Sequence, residues 1–301
     1  MNIIVLGGNG FIGSHIVDEL MLRGHDVSIL CRSYDKVNRH VAGAHYFYGD
    51  FSDSVFVRDA IQGMDVVIHC ISSTVPSTSV RNPVIDINQN LVASVNLLQS
   101  MNELGLKRLI YLSSGGTVYG SPQQLPVKED HPLNPISSYG VVKVAIEHYI
   151  GMFQALNGLS PIILRPSNPY GARQANVGIQ GALGTFLSKT LSRKAITIWG
   201  DGEINRGYIY VKDLANLCAN AAESALEGTF NVCSGKSTSL NELIILIEHA
   251  TGIKPNVTYE AGRGFDVKNI FLDISLAQKT FNWAPQYTIE AGIAEYYKSL
   301  N

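Results

Sequence analysis

The chain has 301 residues, enough to bury the core of one large α/β unit or of two interlocked ones. Its net charge is −2 and only 16% of its residues are charged, so no basic surface argues for nucleic acid or an anionic membrane as partner. Cys31, Cys70, Cys218 and Cys233 stand far apart, without CxxC or His/Cys metal spacing, which predicts reduced thiols in the cytoplasm and no metal site.

Residues 3–6 are wholly apolar, as a strand buried on both faces requires. Starting so early, that strand leaves no room for a signal peptide, and no apolar run reaches membrane-spanning length. Gly7, Gly10 and Gly13 follow, with Gly8 beside them. Phe11, Ile12, Ile16, Val17, Leu20 and Met21 then recur at helical spacing until Gly24. Strand, glycine turn and helix together predict a dinucleotide site. The turn lets backbone close on a pyrophosphate, and the helix N-terminus offers it free N–H groups.

Residues 27–31 read as strand 2. Its end carries Cys31 and Arg32 where NAD binders usually place a carboxylate for the ribose 2′-hydroxyl. A guanidinium there favours NADP(H), with NAD(H) the alternative if Arg32 stacks on adenine or faces solvent. Residues 44–48 predict strand 3, followed by Asp50 and Phe51, a carboxylate and an aromatic suited to adenine. Residues 66–70 predict strand 4, running on to Ser72; His69 at its buried end reads as structural. Pro83 opens a helix to about Leu104 through Asn90, and residues 108–113 predict strand 5. Strands alternating with helices or crossovers mean a parallel, doubly wound sheet.

Residues 113–120 place hydroxyls, Ser114 and Thr117 among them, at the end of strand 5, where such sheets bind ligands. A loop with Pro122, Pro126, Pro132 and Pro135 leads to a helix that starts near Ser137 or Ser138. Tyr139 and Lys143 on that helix are four apart and share one face. The neighbouring ammonium is expected to pull the phenol below its usual pKa of about 10, making a proton shuttle for an alcohol.

Residues 160–164 predict strand 6, ending at Arg165 and Pro166. A glycine-rich loop at 178–184, a helix through Leu191, and strand 196–199 come next. Residues 211–224 read as a helix started by Asp213. Helices at 240–251, 274–281 and 289–300 and a strand at 257–259 complete the chain. The fold expected is α/β: a doubly wound parallel Rossmann sheet over 1–165, with a smaller, interleaved C-terminal substrate domain over 166–301. Segments such as 208–225 are expected to pack back on the sheet.

Taken together, these motifs resemble the extended short-chain dehydrogenase/reductases, in particular their nucleotide-sugar epimerase/dehydratase group. The carriers are the glycine turn, Gly49-Asp50, the Asn90 region, residues 113–120, the Tyr139/Lys143 pair and residues 165–171. Gly200-Asp201-Gly202, Arg206, Val211-Lys212-Asp213, Arg263 and Asp266 extend the likeness into the second half. The resemblance implies that Asp50 and Phe51 hold adenine and that Ser72, Asn90 and Pro166 line the cofactor site. Lys143 also takes the nicotinamide ribose. It further implies that Asn168 touches a substrate phosphate, that Arg206 and Arg263 clamp a diphosphate with Asp266 alongside, and that the chain forms a homodimer through helices 84–104 and 138–156.

Two departures stand out. The group's usual catalytic Ser or Thr falls at Gly115, which leaves Ser114 or Thr117 to supply the hydroxyl, with Ser114 favoured. The other is Cys31. Gly116 and Thr117 occupy slots where dehydratases and decarboxylases of the group carry acids, so elimination and decarboxylation are disfavoured. Hydride transfer at sugar C4 remains. A 4-ketoreductase of a dTDP-4-keto-6-deoxyhexose is the leaning, and a UDP-hexose 4-epimerase with retained NAD is the alternative. A non-catalytic dinucleotide sensor is a remote third, since such proteins lose the Tyr or the Lys.

Overall fold

The computed structural model describes residues 1–32, 41–174, 181–262 and 269–300. Seven parallel strands form the central sheet: β1 (Asn2–Leu6), β2 (Asp26–Cys31), β3 (His45–Tyr48), β4 (Val66–His69), β5 (Arg108–Leu112), β6 (Ser160–Pro166) and β7 (Gly228–Val232). Their order is β7-β6-β5-β4-β1-β2-β3. Strand order reverses between β1 and β4, and at such a reversal crossovers leave in opposite directions and open a crevice. The expected Rossmann sheet is therefore present, one strand wider than the six read from the sequence.

Both faces are covered. Helices α1 (Phe11–Leu22) and α6 (Val211–Glu223) pack one face, where Ile3, Val5, Ile110 and Leu164 meet Leu214 and Leu217. Helices α2 (Ser54–Ile61), α3 (Ala93–Glu103) and α4 (Ser138–Asn157) cover the other, against Ile4, Leu6, Val67 and Tyr111. That double burial is why the strands read as unbroken apolar runs.

The helix expected from Pro83 is present but not uniform. Pro83–Asp86 is α-helical, Ile87–Val92 widens into a π turn, and α3 continues from there. Such wide turns recur near functional sites.

Two expectations need correction in the second half. Asp213 lies in the first turn of α6 but does not start it; Tyr210 holds the cap position. The Asp213 carboxylate instead accepts from the backbone N–H groups of Gln286 (3.0 Å) and Tyr287 (3.1 Å). The glycine-rich loop also ends sooner than expected, because α5 (Ala182–Leu191) already includes Gly184; residues 175–180 lie outside the described residues. α5, α7 (Leu240–Thr251) and α9 (Ile289–Lys298) gather around Tyr170, Tyr208 and Tyr210 as a separate core. α8 (Ser275–Phe281) returns to the sheet, where Phe281 packs edge-on against Phe230 of β7, their ring centres 4.9 Å apart.

Candidate active site

A cleft opens at the C-terminal ends of β1, β2 and β4, with Gly7, Gly10, Arg32, Asp50 and Ser72 on its walls. Gly7 has φ +84°, a left-handed conformation that favours glycine. A Cβ at Gly13 would stand 2.2 Å from the Gly7 carbonyl oxygen, so this turn admits no side chain. α1 begins after Gly10 with no side-chain cap and no acidic residue in its first turn. Helix geometry leaves the N–H groups of Phe11, Ile12 and Gly13 without intrahelical acceptors. A bare backbone cradle at a positive helix end fits a pyrophosphate.

Around it, Arg32 is exposed at the rim and Cys31 is buried. Asp50 is exposed, with one oxygen accepting from Ser52 N–H at 2.7 Å. Phe51 contributes to the cleft wall, yet only 5% of it is exposed and its ring packs on His69. Asn90 is buried in the π turn. Its amide oxygen accepts from Ser73 N–H (2.9 Å) and its amide nitrogen donates to Asp86 (2.9 Å). Asn90 thus fixes the turn after β4. Pro166 ends β6 and its carbonyl accepts from Gly115 N–H (2.9 Å), which fixes the loop after β5.

Ser137 caps α4 by accepting from Gly140 N–H (3.2 Å), which sets Tyr139 in the first turn. The hydroxyls of Ser72 and Ser114 face the phenol. Ser114 is therefore the hydroxyl on the phenol. Thr117 Oγ1 is buried, with no hydrogen-bond partner among the described residues. The family's usual position is closed to a side chain here. A Cβ at Gly115 would lie 2.4 Å from Leu272 Cδ1 and 2.7 Å from the Arg165 carbonyl oxygen.

The electrostatics reverse one expectation. Burial pushes the Tyr139 phenol up to about 12; the two serine hydroxyls pull it back, and the Asp86 carboxylate adds to the rise. Lys143 does not make it acidic in this geometry. Its ammonium donates to the Leu112 carbonyl (2.8 Å) and sits 5.8 Å from the Tyr139 ring centre. Burial also pushes Lys143 down, to about 8, against the pull of Cys70, Glu147 and Asp86. Beneath the phenol, Glu147 and Arg165 form a buried ion pair (2.5 Å), and Ser113 donates to the same carboxylate.

Asn168, with φ +36°, donates to the Gly207 carbonyl (2.8 Å), which brings it beside the strand Asn205–Gly207 that carries Arg206. Arg206 is half-buried and donates to the Asn205 carbonyl (2.9 Å). Arg263 and Asp266 lie outside the described residues. Sequence reasoning missed Asp86, a fully buried carboxylate next to Tyr139. Its only signal was an acid inside the apolar stretch 83–87.

A glycine cradle at a helix N-terminus, with a tyrosine–serine pair beside the same cleft, defines a dinucleotide-dependent enzyme of the Rossmann class. The chain belongs to the NAD-dependent epimerase/dehydratase family, whose description matches residues 3–233. A protein of Methanocaldococcus jannaschii, named provisionally as a UDP-glucose 4-epimerase, is 37% identical over 295 residues, covering 97% of this chain and 95% of its own. A dTDP-4-dehydro-6-deoxyglucose reductase of Escherichia coli is 33% identical, covering 99% and 97%. Two crystal structures are also similar at 31% identity. The UDP-glucose 4-epimerase of Thermotoga maritima, solved with UDP-glucose, has a TM-score of 0.92 over 100% of this chain and 98% of its own. That of Thermus thermophilus, solved with NAD, has a TM-score of 0.91 over 99% and 98%.

Proposed function

We propose that this protein is a UDP-hexose 4-epimerase that works on UDP-glucose and UDP-galactose with NAD retained in the cleft. The observation that carries it is the Tyr139 phenol held by Ser114 and Ser72 beside the glycine cradle. The sequence leaning toward a reductase gives way because the relatives weigh more toward 4-epimerases. The NADP(H) preference yields with it to NAD, the cofactor of the family and of the Thermus structure.

In this reading the N–H groups of Phe11, Ile12 and Gly13 hold the pyrophosphate and Asp50 holds adenine. Phe51 and Pro166 back the site, and Asn90 keeps the Ser72–Ser73 turn in place. Lys143 binds the nicotinamide ribose with its remaining N–H groups. When bound, nicotinamide supplies a hydride acceptor and donor at sugar C4. Ser114 orients the C4 hydroxyl and Tyr139 moves its proton at the phenolic oxygen. Asn168 and Arg206, with Arg263 and Asp266, bind the diphosphate end of the substrate.

The same reading places a homodimer in the cytoplasm. Val141, Tyr149, Met152 and Leu156 form an apolar stripe along α4, each 40–74% exposed, beside exposed Val84, Ile87 and Val92 on the preceding helix. Such a stripe is what a second copy would cover. The four cysteines are free thiols, which suits a reducing compartment.

Arg32 at the rim supports a second reading, NADPH-dependent reduction of a dTDP-4-keto-6-deoxyhexose. Purified protein is expected to carry NAD and to interconvert UDP-glucose and UDP-galactose with no cofactor added. Tyr139→Phe is expected to lower kcat by roughly a hundredfold or more. NADPH consumption with the keto sugar, without interconversion, would select the second reading.

A further inference from the structure

A carboxylate taken wholly out of water is costly unless its lone pairs are filled. Asp86 has no solvent exposure. Oδ1 accepts from Thr74 Oγ1 (2.7 Å) and Asn90 Nδ2 (2.9 Å), and Oδ2 from Ser138 Oγ (2.8 Å). All three donors are neutral, and among the described residues no cation forms an ion pair with it. A neutral residue would be cheaper to bury here, so stability alone does not account for the charge.

The three donors come from three segments next to Tyr139. Ser138 is its neighbour at the start of α4. Thr74 belongs to the turn after β4, and its carbonyl accepts from Ser72 Oγ (2.9 Å). Asn90 holds Ser73 N–H in the same turn. The start of α4 also rests on this region, because Tyr139 N–H donates to Ser79 Oγ (3.0 Å).

We propose that Asp86 is a positioning residue for Tyr139: its carboxylate ties the first turn of α4 to the Ser72–Thr74 turn, so that the phenol meets Ser72 and Ser114 together. The inference rests on the reading of Tyr139 as the proton-transfer group. The charge also acts on its surroundings. The groups facing the phenol are Asp86 beside the π turn, Tyr111 from β5 and Lys143 one turn along α4; Cys70 and Glu147 face Lys143 in turn. Asp86 opposes ionisation of Tyr139 and favours the ammonium of Lys143.

Asp86→Asn keeps the shape and removes the charge. A lost anion makes the phenol easier to ionise. The acid limb of kcat/KM is therefore expected to move to lower pH while the protein keeps its melting temperature. Asp86→Ala removes the tie itself and is expected to lower kcat about tenfold or more, with KM within about threefold. If Asp86→Ala fails to fold, the Asn variant decides alone. Should neither assay show turnover, 13C-tyrosine NMR of NAD-loaded protein reads the same shift at Tyr139 directly. Unchanged kcat in folded Asp86→Ala, or, where that variant does not fold, an unmoved limb in Asp86→Asn, with Tyr139→Phe inactive, overturns the inference and leaves the function standing. A fully active Tyr139→Phe overturns the function itself.

Discussion

Gly115 shows how one missing side chain redirects a site. Its slot faces Leu272 at one side and the Arg165 carbonyl at the other. A leucine methyl can turn aside, but a strand carbonyl cannot retreat without breaking the sheet. Gly115→Ser, which restores the family's usual residue, is therefore expected to cost about 1–3 kcal/mol rather than improve catalysis. Urea denaturation beside wild type checks this, and Leu272→Ala in the same chain is expected to recover only part of the loss. That the slot was empty was legible in the sequence, and so was the choice between Ser114 and Thr117. The sequence leaned to Ser114, and how that hydroxyl comes to face the phenol depends on how the loop after β5 folds onto α4. The acidity of Tyr139 was misread for a related reason. Spacing puts Lys143 on the same face, but only the fold turns its ammonium toward the Leu112 carbonyl.

Strand β4 ends in a residue with a consequence for acid stability. His69 Nδ1 accepts from Ile71 N–H (3.3 Å), so its proton sits on Nε2, which donates to Ser94 Oγ (2.9 Å). Burial, helped by Lys143, pushes this imidazole down to about 3. The folded state keeps it neutral, whereas the unfolded chain takes up a proton near pH 6.5. The stability it contributes is present above that value and is lost as pH falls toward 3. By pH 5 the loss is about 2 kcal/mol. Urea midpoints at pH 7.5 and 5 should therefore fall apart in wild type and lie closer together in His69→Asn. Elements with strong periodicity, such as α4 and α7, were legible to within a residue or two. β7 was not, because Gly228–Val232 is short and pairs with β6 across more than sixty positions of chain. The π turn left no mark either, since its residues suit an ordinary helix.

For the molecule as a whole, the apolar stripe on α4 is a liability left in water. Covering it in a homodimer predicts a two-chain species in sedimentation velocity. Tyr149→Glu with Met152→Glu is expected to release monomers, because two desolvated carboxylates at a mirrored contact repel each other. The weave of the chain has its own consequence. After building the strand that carries Arg206, the polypeptide comes back to lay down α6 and β7, departs through α7, and returns once more with α8. Cutting the gene after residue 165 would strip the sheet of its outermost strand and bare the apolar flank that α6 shields. The C-terminal half therefore cannot be traded between relatives as one cassette. New preferences have to arise through local changes in the loops that meet the cleft.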